Sequence, residues 1–301
     1  MFSENDYPAP YRDADSASLH AQTAYLRLQR IYLGSLVSVS ALGTVASLQG
    51  TTVSLWLNQT IAIFLVAGLL VLWIMRFRQD DLLWFDGRAV AESIKTAAWR
   101  YMMRIPPYAD DVQADVLFAA QLRDIRAARP QLLSRIAGHL DGDGQTITAS
   151  MRDRRLGALD ARRDFYVTER LRSQKLWYSN KAKSNVRASS QLFWTIVTIQ
   201  FSATVLAILN ASWSGVMTGI VPLMITSAAV LTAWSQLKRY NDLAQSYAMA
   251  AQELGELEAL AGNQRDTQAF AQLVEQVEES ISREHTMWCA RRDVSLAGRK
   301  P

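Results

Sequence analysis

The sequence predicts an all-α membrane protein with two transmembrane helical hairpins, and therefore four spans, and with long cytosolic helical extensions. Two observations lead to this prediction. No Asp, Glu, Lys, Arg or His occurs between Arg30 and Arg76, and none occurs between Arg187 and Lys238. A helix needs about 20 apolar residues to cross a bilayer, so each uncharged stretch has room for two crossings and a turn.

Polar or glycine-containing breaks divide each uncharged stretch into two spans. The first stretch is interrupted by Gln49, Gly50 and two threonines, and the second by a segment from Asn210 to Gly215. These residues favour turns over continued helix. The predicted spans are residues 31–48, 60–75, 192–209 and 216–234.

Basic residues flank the spans on one side only, whereas both hairpin tips are uncharged. Loops rich in Lys and Arg stay on the cytoplasmic side of a membrane. The sequence therefore predicts a multi-pass protein of the cell inner membrane with both its N- and C-termini in the cytoplasm. The flanking residues are Arg27, Arg30, Arg76, Arg78, Lys181, Lys183, Arg187, Lys238 and Arg239.

Two spans carry polar side chains that share a helical face. Such residues either let helices pack closely or line a water-accessible path, and the sequence leaves both interpretations open. No acidic or basic residue lies within a span, which argues against a proton relay, an ion-coupled transporter or a voltage sensor. The candidate pore-lining residues are Ser40, Thr44, Ser47, Gln200 and Thr204.

The remainder of the chain follows a duplicated plan of lead-in, hairpin and long cytosolic helix. The predicted divisions are a disordered tail at 1–15, a first two-span hairpin with cytosolic helices at 16–140 and a turn or linker at 141–150. A second hairpin with a basic lead-in helix and an acidic C-terminal helix occupies 151–296, and a short tail occupies 297–301. The helices of the second and fourth spans are expected to run unbroken into the cytosol, the second to Pro106 and Pro107 and the fourth to Gly262.

Two cytosolic segments that flank the second hairpin have opposite charge. Residues 151–187 are strongly basic and residues 252–286 are strongly acidic, so we expect them to pair, within or between subunits. Anionic lipid, at about 1 kcal/mol per basic residue near the surface, or a nucleotide or nucleic acid are the alternatives for the basic segment. The candidate oligomer or partner contacts are Arg162, Arg163, Arg170, Trp177, Tyr178, Phe270, Val274, Val277, Ile281 and Trp288.

Catalytic and metal-binding motifs are not found in the sequence. The three histidines, His20, His139 and His285, are scattered, and Cys289 has no evident partner base. Glycine-rich phosphate loops, paired cysteines and nucleophile elbows are likewise missing. The sequence therefore predicts neither a catalytic residue nor a cofactor nor a metal, and an enzyme is the least favoured class.

Three stretches resemble the bacterial SLATT superfamily of two-helix transmembrane effector domains. They are residues 154–185, which include Tyr166, Arg170 and Trp177, residues 270–288, and residues 91–101. The resemblance covers the chain from about residue 20 onward, with two domains in tandem. These short helical signatures contain Trp, Tyr, Arg and Glu, and none has a catalytic counterpart.

The resemblance implies an effector of bacterial anti-phage or other conflict systems, which leads to growth arrest or death of an infected cell. Such an effector is expected to form homo-oligomers and to open or gate a pore. Its expected partners are the lipid bilayer, a signal-generating or sensor protein encoded nearby, or a nucleotide second messenger. The alternative is a membrane-anchored adaptor that recruits a soluble partner through its charged helices.

Overall fold

The computed structural model describes residues 2–48, 55–129, 132, 144–212, 219–261 and 266–297. Most of these residues are helical and none of them forms a strand, which confirms the predicted all-α fold; the helices include a 3-10 turn at Glu4–Asp6 and a π-helical segment at Val167–Arg172. The α-helices are α1 (Ala9–Leu48), α2 (Leu55–Arg78), α3 (Asp80–Met103), α4 (Ala114–Ala127), α5 (Ala149–Leu156), α6 (Leu159–Tyr166), α7 (Ser173–Ser212), α8 (Ile220–Lys238), α9 (Tyr240–Ala261) and α10 (Thr267–Ala297).

The chain forms two compact units, and each draws on both halves of the sequence. The membrane unit consists of Thr23–Asp80 and Lys183–Ala244. The charged unit consists of Met1–Gln22, Asp81–Ala182 and Gln245–Pro301. Long helices belong in part to one unit and in part to the other, so neither compact unit corresponds to one hairpin with its own extensions.

Four helical stretches of the described chain are long and apolar enough to cross a membrane. They are Ala9–Ser47, Leu55–Met103, Leu159–Leu209 and Ile220–Ala261. Their apolar windows bury little within the protein, and side chains such as Ile63, Phe201 and Ile208 are mostly exposed. A surface this apolar suits lipid, and the protein is a membrane protein with the four predicted spans.

Small side chains bring helices of the membrane unit close together. A Cβ added at Gly68 would lie 3.0 Å from Ser35 Oγ on α1. At the start of α8, the hydroxyl of Thr44 donates a 2.6 Å hydrogen bond to the carbonyl of Gly219. Small residues permit such close approach of helix backbones, and α1 therefore packs against both α2 and the first turn of α8.

The charged unit has its own core of aromatic, aliphatic and alanine side chains. Trp99, Tyr101 and Met102 on α3 are almost fully buried, as are Phe118 on α4 and Phe270 on α10. Gly87 is needed where α3 approaches α1, because a Cβ there would lie 3.0 Å from the carbonyl oxygen of Ala14. Burial of large apolar side chains, at about 1.5–3 kcal/mol each, is the main stabilising contribution.

From Phe2 onward the N-terminal segment is folded into the charged unit, whereas the sequence predicts a disordered tail at 1–15. Tyr7 and Tyr11 are buried there, with their ring centres 4.7 Å apart. The segment is also fastened by hydrogen bonds to Asp6, from Ser150 Oγ to the carboxylate (2.6 Å) and from Thr148 Oγ1 to the carbonyl (2.7 Å).

The helices that leave the second and fourth spans are interrupted, contrary to the prediction of unbroken helices. Gln79 separates α2 from α3 and Arg239 separates α8 from α9, and both residues have a left-handed backbone with φ of 49°. Each break is followed by an ion pair, Arg78 Nε to Asp80 (2.9 Å) in the first and Arg239 Nε to Asp242 (2.8 Å) in the second. The duplicated plan therefore extends to a matching break in each half.

The basic segment that precedes the third span differs from the single helix predicted from about residue 150. Thr148 caps α5 by accepting a hydrogen bond from the Met151 backbone (3.2 Å), and α5 ends at Gly157. The helical backbone then continues from Leu159 through the π-helical segment into α7. Of the predicted linker at 141–150, residues 141–143 lie outside the described part of the chain.

Candidate functional site

An ion pair at the centre of the charged unit joins the basic and acidic segments. Arg170 donates from Nε to Glu278 Oε1 (2.8 Å) and from a terminal nitrogen to Oε2 (2.7 Å). Both side chains are only 1% exposed. A bidentate guanidinium–carboxylate pair is among the strongest hydrogen-bonded contacts in proteins, and this one confirms that the two segments pair within one chain.

Two hydroxyl groups complete the hydrogen bonding of the Glu278 carboxylate. Tyr166 Oη donates to Oε1 (3.0 Å) and Thr96 Oγ1 donates to Oε2 (2.8 Å). Because each carboxylate oxygen accepts two hydrogen bonds, the charge of Glu278 is well solvated by protein groups. Donors from α3, α6 and the π-helical segment thus meet on one residue of α10.

The π-helical segment sets the position of Arg170. Six residues, Val167–Arg172, adopt i→i+5 hydrogen bonding between α6 and α7. A π segment inserts an extra residue into a helical turn and changes which side chains share a face. Tyr166, just before this segment, and Arg170, within it, both reach Glu278, and the helix continues towards the third span.

Aromatic rings surround the ion pair. The Arg170 guanidinium carbon lies 5.9 Å from the Trp99 ring centre, and Trp99 Nε1 donates to Tyr7 Oη (2.9 Å). On the other side of Tyr7, the Lys95 ammonium lies 5.7 Å from its ring centre and 5.8 Å from that of Tyr11. Cations over aromatic faces are stabilised by the ring quadrupole, so the N-terminal segment takes part in holding these buried charges.

Burial and charge act in opposite directions on Arg170. Burial disfavours its charged form, but the carboxylate of Glu278 and its hydrogen bonds outweigh burial and raise the pKa of Arg170. Burial, and then the charge of Glu278, raise the pKa of Tyr166 well above its usual value. At neutral pH the arginine is therefore charged and the tyrosine protonated, which fits a structural contact.

A second, more exposed contact lies further along the same pair of segments. Glu258 on α9 accepts a 2.6 Å hydrogen bond from Arg172 Nε and a short one from Lys175 Nζ. These hydrogen bonds lower the pKa of Glu258, that from Lys175 most. The opposite charges of the two segments thus meet at two levels, one buried and one at the surface.

The lowered pKa of Glu258 predicts a small loss of stability in acid. The carboxylate stabilises the folded state fully above its unfolded pKa near 4.5, and this contribution disappears as the pH falls through the lower folded pKa. Glu258→Gln is expected to cost up to about 1 kcal/mol at neutral pH and to make unfolding less dependent on pH below 4.5. Thermal unfolding of the native protein and the variant at about five pH values from 3 to 7 checks this. The same pH dependence in both proteins would contradict the prediction.

Most of the residues predicted as oligomer or partner contacts are core residues of a single chain, which favours pairing within the chain over pairing between subunits. The apolar stripe of α10 packs within the charged unit, because the surface of α3 and α6 that it contacts belongs to the same chain. Arg163 is half-buried and bonds to Asp160 and Asp164, Trp177 stays exposed, and the Trp288 side chain lies outside the described residues. The buried ones are Arg162, Arg170, Tyr178, Phe270, Val274, Val277 and Ile281.

The five candidate pore-lining residues fall into two groups. Thr44 is buried against Gly219, and Ser47 Oγ donates to the carbonyl of Thr44 (2.8 Å). On α1 these contacts favour the interpretation of helix packing, with Ser40 half-buried. Gln200 and Thr204 on α7 are exposed, and the Thr204 hydroxyl donates to the backbone carbonyl of Gln200 (2.9 Å).

Several residues of the buried network were not singled out from the sequence. Thr96 and Trp99 lie in the 91–101 stretch that carries the family resemblance, so their presence there was a usable signal. Glu278 was also signalled, because it stands between Val274 and Ile281 on an otherwise apolar face. Tyr7 gave no signal, since only its folded position brings it to Trp99.

Two family models together match nearly the whole chain. Residues 8–163 match the model described as SMODS and SLOG-associating 2TM effector domain 3, and residues 166–288 match SMODS and SLOG-associating 2TM effector domain 1. No curated protein and no solved structure matches. The second match begins at Tyr166, the first residue of the buried network on that helix. The chain therefore belongs to the SLATT superfamily, the transmembrane effector domains of conflict systems, and contains two such domains in tandem.

Proposed function

We propose that this protein is a pore-forming effector that assembles as a homo-oligomer in the inner membrane and perturbs it. The observation that carries the proposal is the exposed amide of Gln200. This side chain lies in the middle of a span, among exposed apolar residues such as Phe201 and Ile208. An amide that faces lipid without a partner is costly, whereas a neighbouring copy or water in a pore would satisfy it.

The hydroxyl groups of the spans do not create the same demand. Thr195, Thr204, Ser227 and Thr232 each donate to the backbone carbonyl four residues earlier, at 2.8–2.9 Å. Such local bonds satisfy a hydroxyl within its own helix. The longer Gln side chain, with two donors and an acceptor, needs groups from outside, which makes the α7 face the preferred surface for assembly.

The continuous helix from α6 to α7 offers a route from the charged unit to this face. Arg170 is held by Glu278 a few residues before α7 begins. A trigger would favour the open packing, and it can shift the balance between the two states only by its differential affinity for them. A signal-generating or sensor protein encoded nearby is the trigger that the family membership favours.

Leakage measured with the Gln200→Leu variant tests the proposal. We expect the native protein to release entrapped ions or a small dye from liposomes and to let dye into expressing cells. Removing a polar contact between membrane helices costs about 1–2 kcal/mol, so Gln200→Leu is expected to reduce leakage about tenfold. Gln200→Asn, which keeps the amide, and Phe201→Leu, on the lipid-exposed surface, are the matched controls and should retain most of it.

An anchored adaptor is the alternative, and exposed apolar side chains on the charged unit favour it. Val112, Val116 and Leu156 are largely exposed, which is typical of a surface that meets another protein. Replacing both hairpins with unrelated spans of similar length separates the two functions. If the protein with replaced hairpins still arrests growth, the adaptor is favoured. If both growth arrest and leakage are lost, the pore is favoured.

A further inference from the structure

Three arginines from separate segments converge at the C-terminal end of α3. Arg155 on α5 donates to the carbonyl of Tyr101 (2.7 Å) and to Asp111 Oδ1 (2.7 Å). Arg162 on α6 donates to the carbonyl of Met103 (2.9 Å). Arg104, the residue after α3, forms an ion pair with Asp111. We call these three residues the arginine cluster.

The arginine cluster has more positive charge than its surroundings compensate. Burial, followed by the charges of Arg104 and Arg155, lowers the pKa of Arg162, and Asp111 is the carboxylate that opposes this effect. Three guanidinium groups thus share one carboxylate within the described residues. By contrast, Arg170 in the same unit has Glu278 to itself.

Capping of α3 does not account for the whole arrangement. Positive groups are favoured at a helix C-terminus, where carbonyls lack partners, and Arg155 and Arg162 each use one nitrogen in this way. Arg162 is nevertheless only 7% exposed, and its buried Nε has no hydrogen-bond partner among the described residues. A buried charged donor without an acceptor is costly. Arg170 also has a buried nitrogen without a partner in the described part of the chain, but of these two sites only the arginine cluster combines such a donor with an excess of positive charge, which leaves capacity for an anion.

The exposure of its edge suits the arginine cluster to a ligand. Arg104 has a left-handed backbone with φ of 61°, the conformation in which helices commonly end. The side chain of Asp111 is 54% exposed and that of Arg104 is 33% exposed. The Arg104 guanidinium is therefore reachable from solvent beside Asp111, whereas the side chains of Arg155 and Arg162 are buried.

We propose that the arginine cluster binds a phosphate group, with Asp111 occupying part of the site in its absence. Guanidinium groups match phosphate oxygens in pairs of parallel hydrogen bonds. A phosphate dianion would balance the two positive charges that Asp111 leaves uncompensated. It would also provide acceptors for Arg104 and for the buried Nε of Arg162. The phosphate source is either a soluble metabolite or the headgroup of an anionic lipid.

Calorimetric titration of the full-length protein in maltoside micelles tests the site, with inorganic phosphate as the probe. Arg104→Gln, at the partly exposed edge, is expected to weaken binding about tenfold by removing charge-assisted hydrogen bonds. Asp111→Asn is expected to tighten binding by a similar factor, because it removes the competing carboxylate. Arg152→Gln is the matched control, since Arg152 is an exposed arginine that pairs with Asp115 outside the cluster.

The possible outcomes distinguish a specific phosphate site from general electrostatic attraction. Equal weakening by Arg104→Gln and Arg152→Gln would show bulk electrostatics and overturn the proposal, as would weaker binding in Asp111→Asn. Micelles doped with short-chain phosphatidic acid form a second arm. Binding to phosphatidic acid but not to inorganic phosphate, with the same order of variants, assigns the phosphate to a lipid headgroup; binding to neither overturns the proposal.

Discussion

Glu278→Ala is expected to lower the stability of the charged unit by about 3–5 kcal/mol, because it leaves the buried guanidinium of Arg170 without its counter-charge. The hydroxyls of Tyr166 and Thr96 lose their acceptor at the same time. For a protein of this size the change corresponds to roughly a 10 °C fall in the unfolding temperature. Thermal unfolding in micelles, followed by tryptophan fluorescence with Trp99 beside the ion pair, measures it.

Two further variants show whether the loss comes from the unpaired charge. The double variant Arg170→Met with Glu278→Leu removes both charges and is expected to recover most of the stability, since apolar replacements of buried ion pairs are often neutral. Glu258→Ala removes a more exposed pairing and should cost about 1 kcal/mol or less. If Glu278→Ala is no more destabilising than Glu258→Ala, the ion pair is not the centre of the unit.

Gly219→Leu is expected to disrupt the packing of α8 on α1 in the membrane unit. Even a Cβ at this position would overlap Ser47 Oγ and lie 3.2 Å from the carbonyl oxygen of Thr44. A larger side chain would also break the 2.6 Å hydrogen bond from Thr44 to the Gly219 carbonyl. Overpacking of this kind costs about 1–3 kcal/mol, measured as lower thermal stability in micelles.

Smaller changes at the same contact isolate its cause. Gly219→Ala should be mildly destabilising and should recover when combined with Ser47→Ala, because that change removes the overlapping hydroxyl. Gly43→Ala is the matched control, since a Cβ there meets no atom within 4 Å. Equal effects of alanine at Gly43 and Gly219 would mean that helix propensity, and not close approach, determines the result.

The four spans and the charge pairing were predictable because each depends on a property summed over many residues. A long stretch without any charge, such as the one between Arg187 and Lys238, favours insertion into lipid whichever apolar residues it contains. Likewise, the net charges of the basic and acidic segments determine that they attract. The particular partners, Arg170 with Glu278, depend on helical register, which a one-residue π insertion changes.

The buried network was harder to predict because its parts are far apart in sequence. Tyr7, Thr96 and Glu278 meet only after three helices have packed. The position of the N-terminal segment was hard to predict for a related reason, because Tyr7 and Tyr11 are buried only in a core that the sequence does not display. The left-handed residues Gln79 and Arg239 also carry no glycine signal.

Gln79 and Arg239, both left-handed residues, interrupt two of the four spans and leave the other two continuous. The first and third spans continue into the charged unit as uninterrupted helix, whereas the second and fourth are each joined to it through one non-helical residue. A helix broken by a non-helical residue changes direction more easily than an uninterrupted one, so Gln79 and Arg239 are the positions where the second and fourth spans can turn. Thr44 and Gln200 lie on the two uninterrupted helices, so the polar faces belong to the spans that bend least.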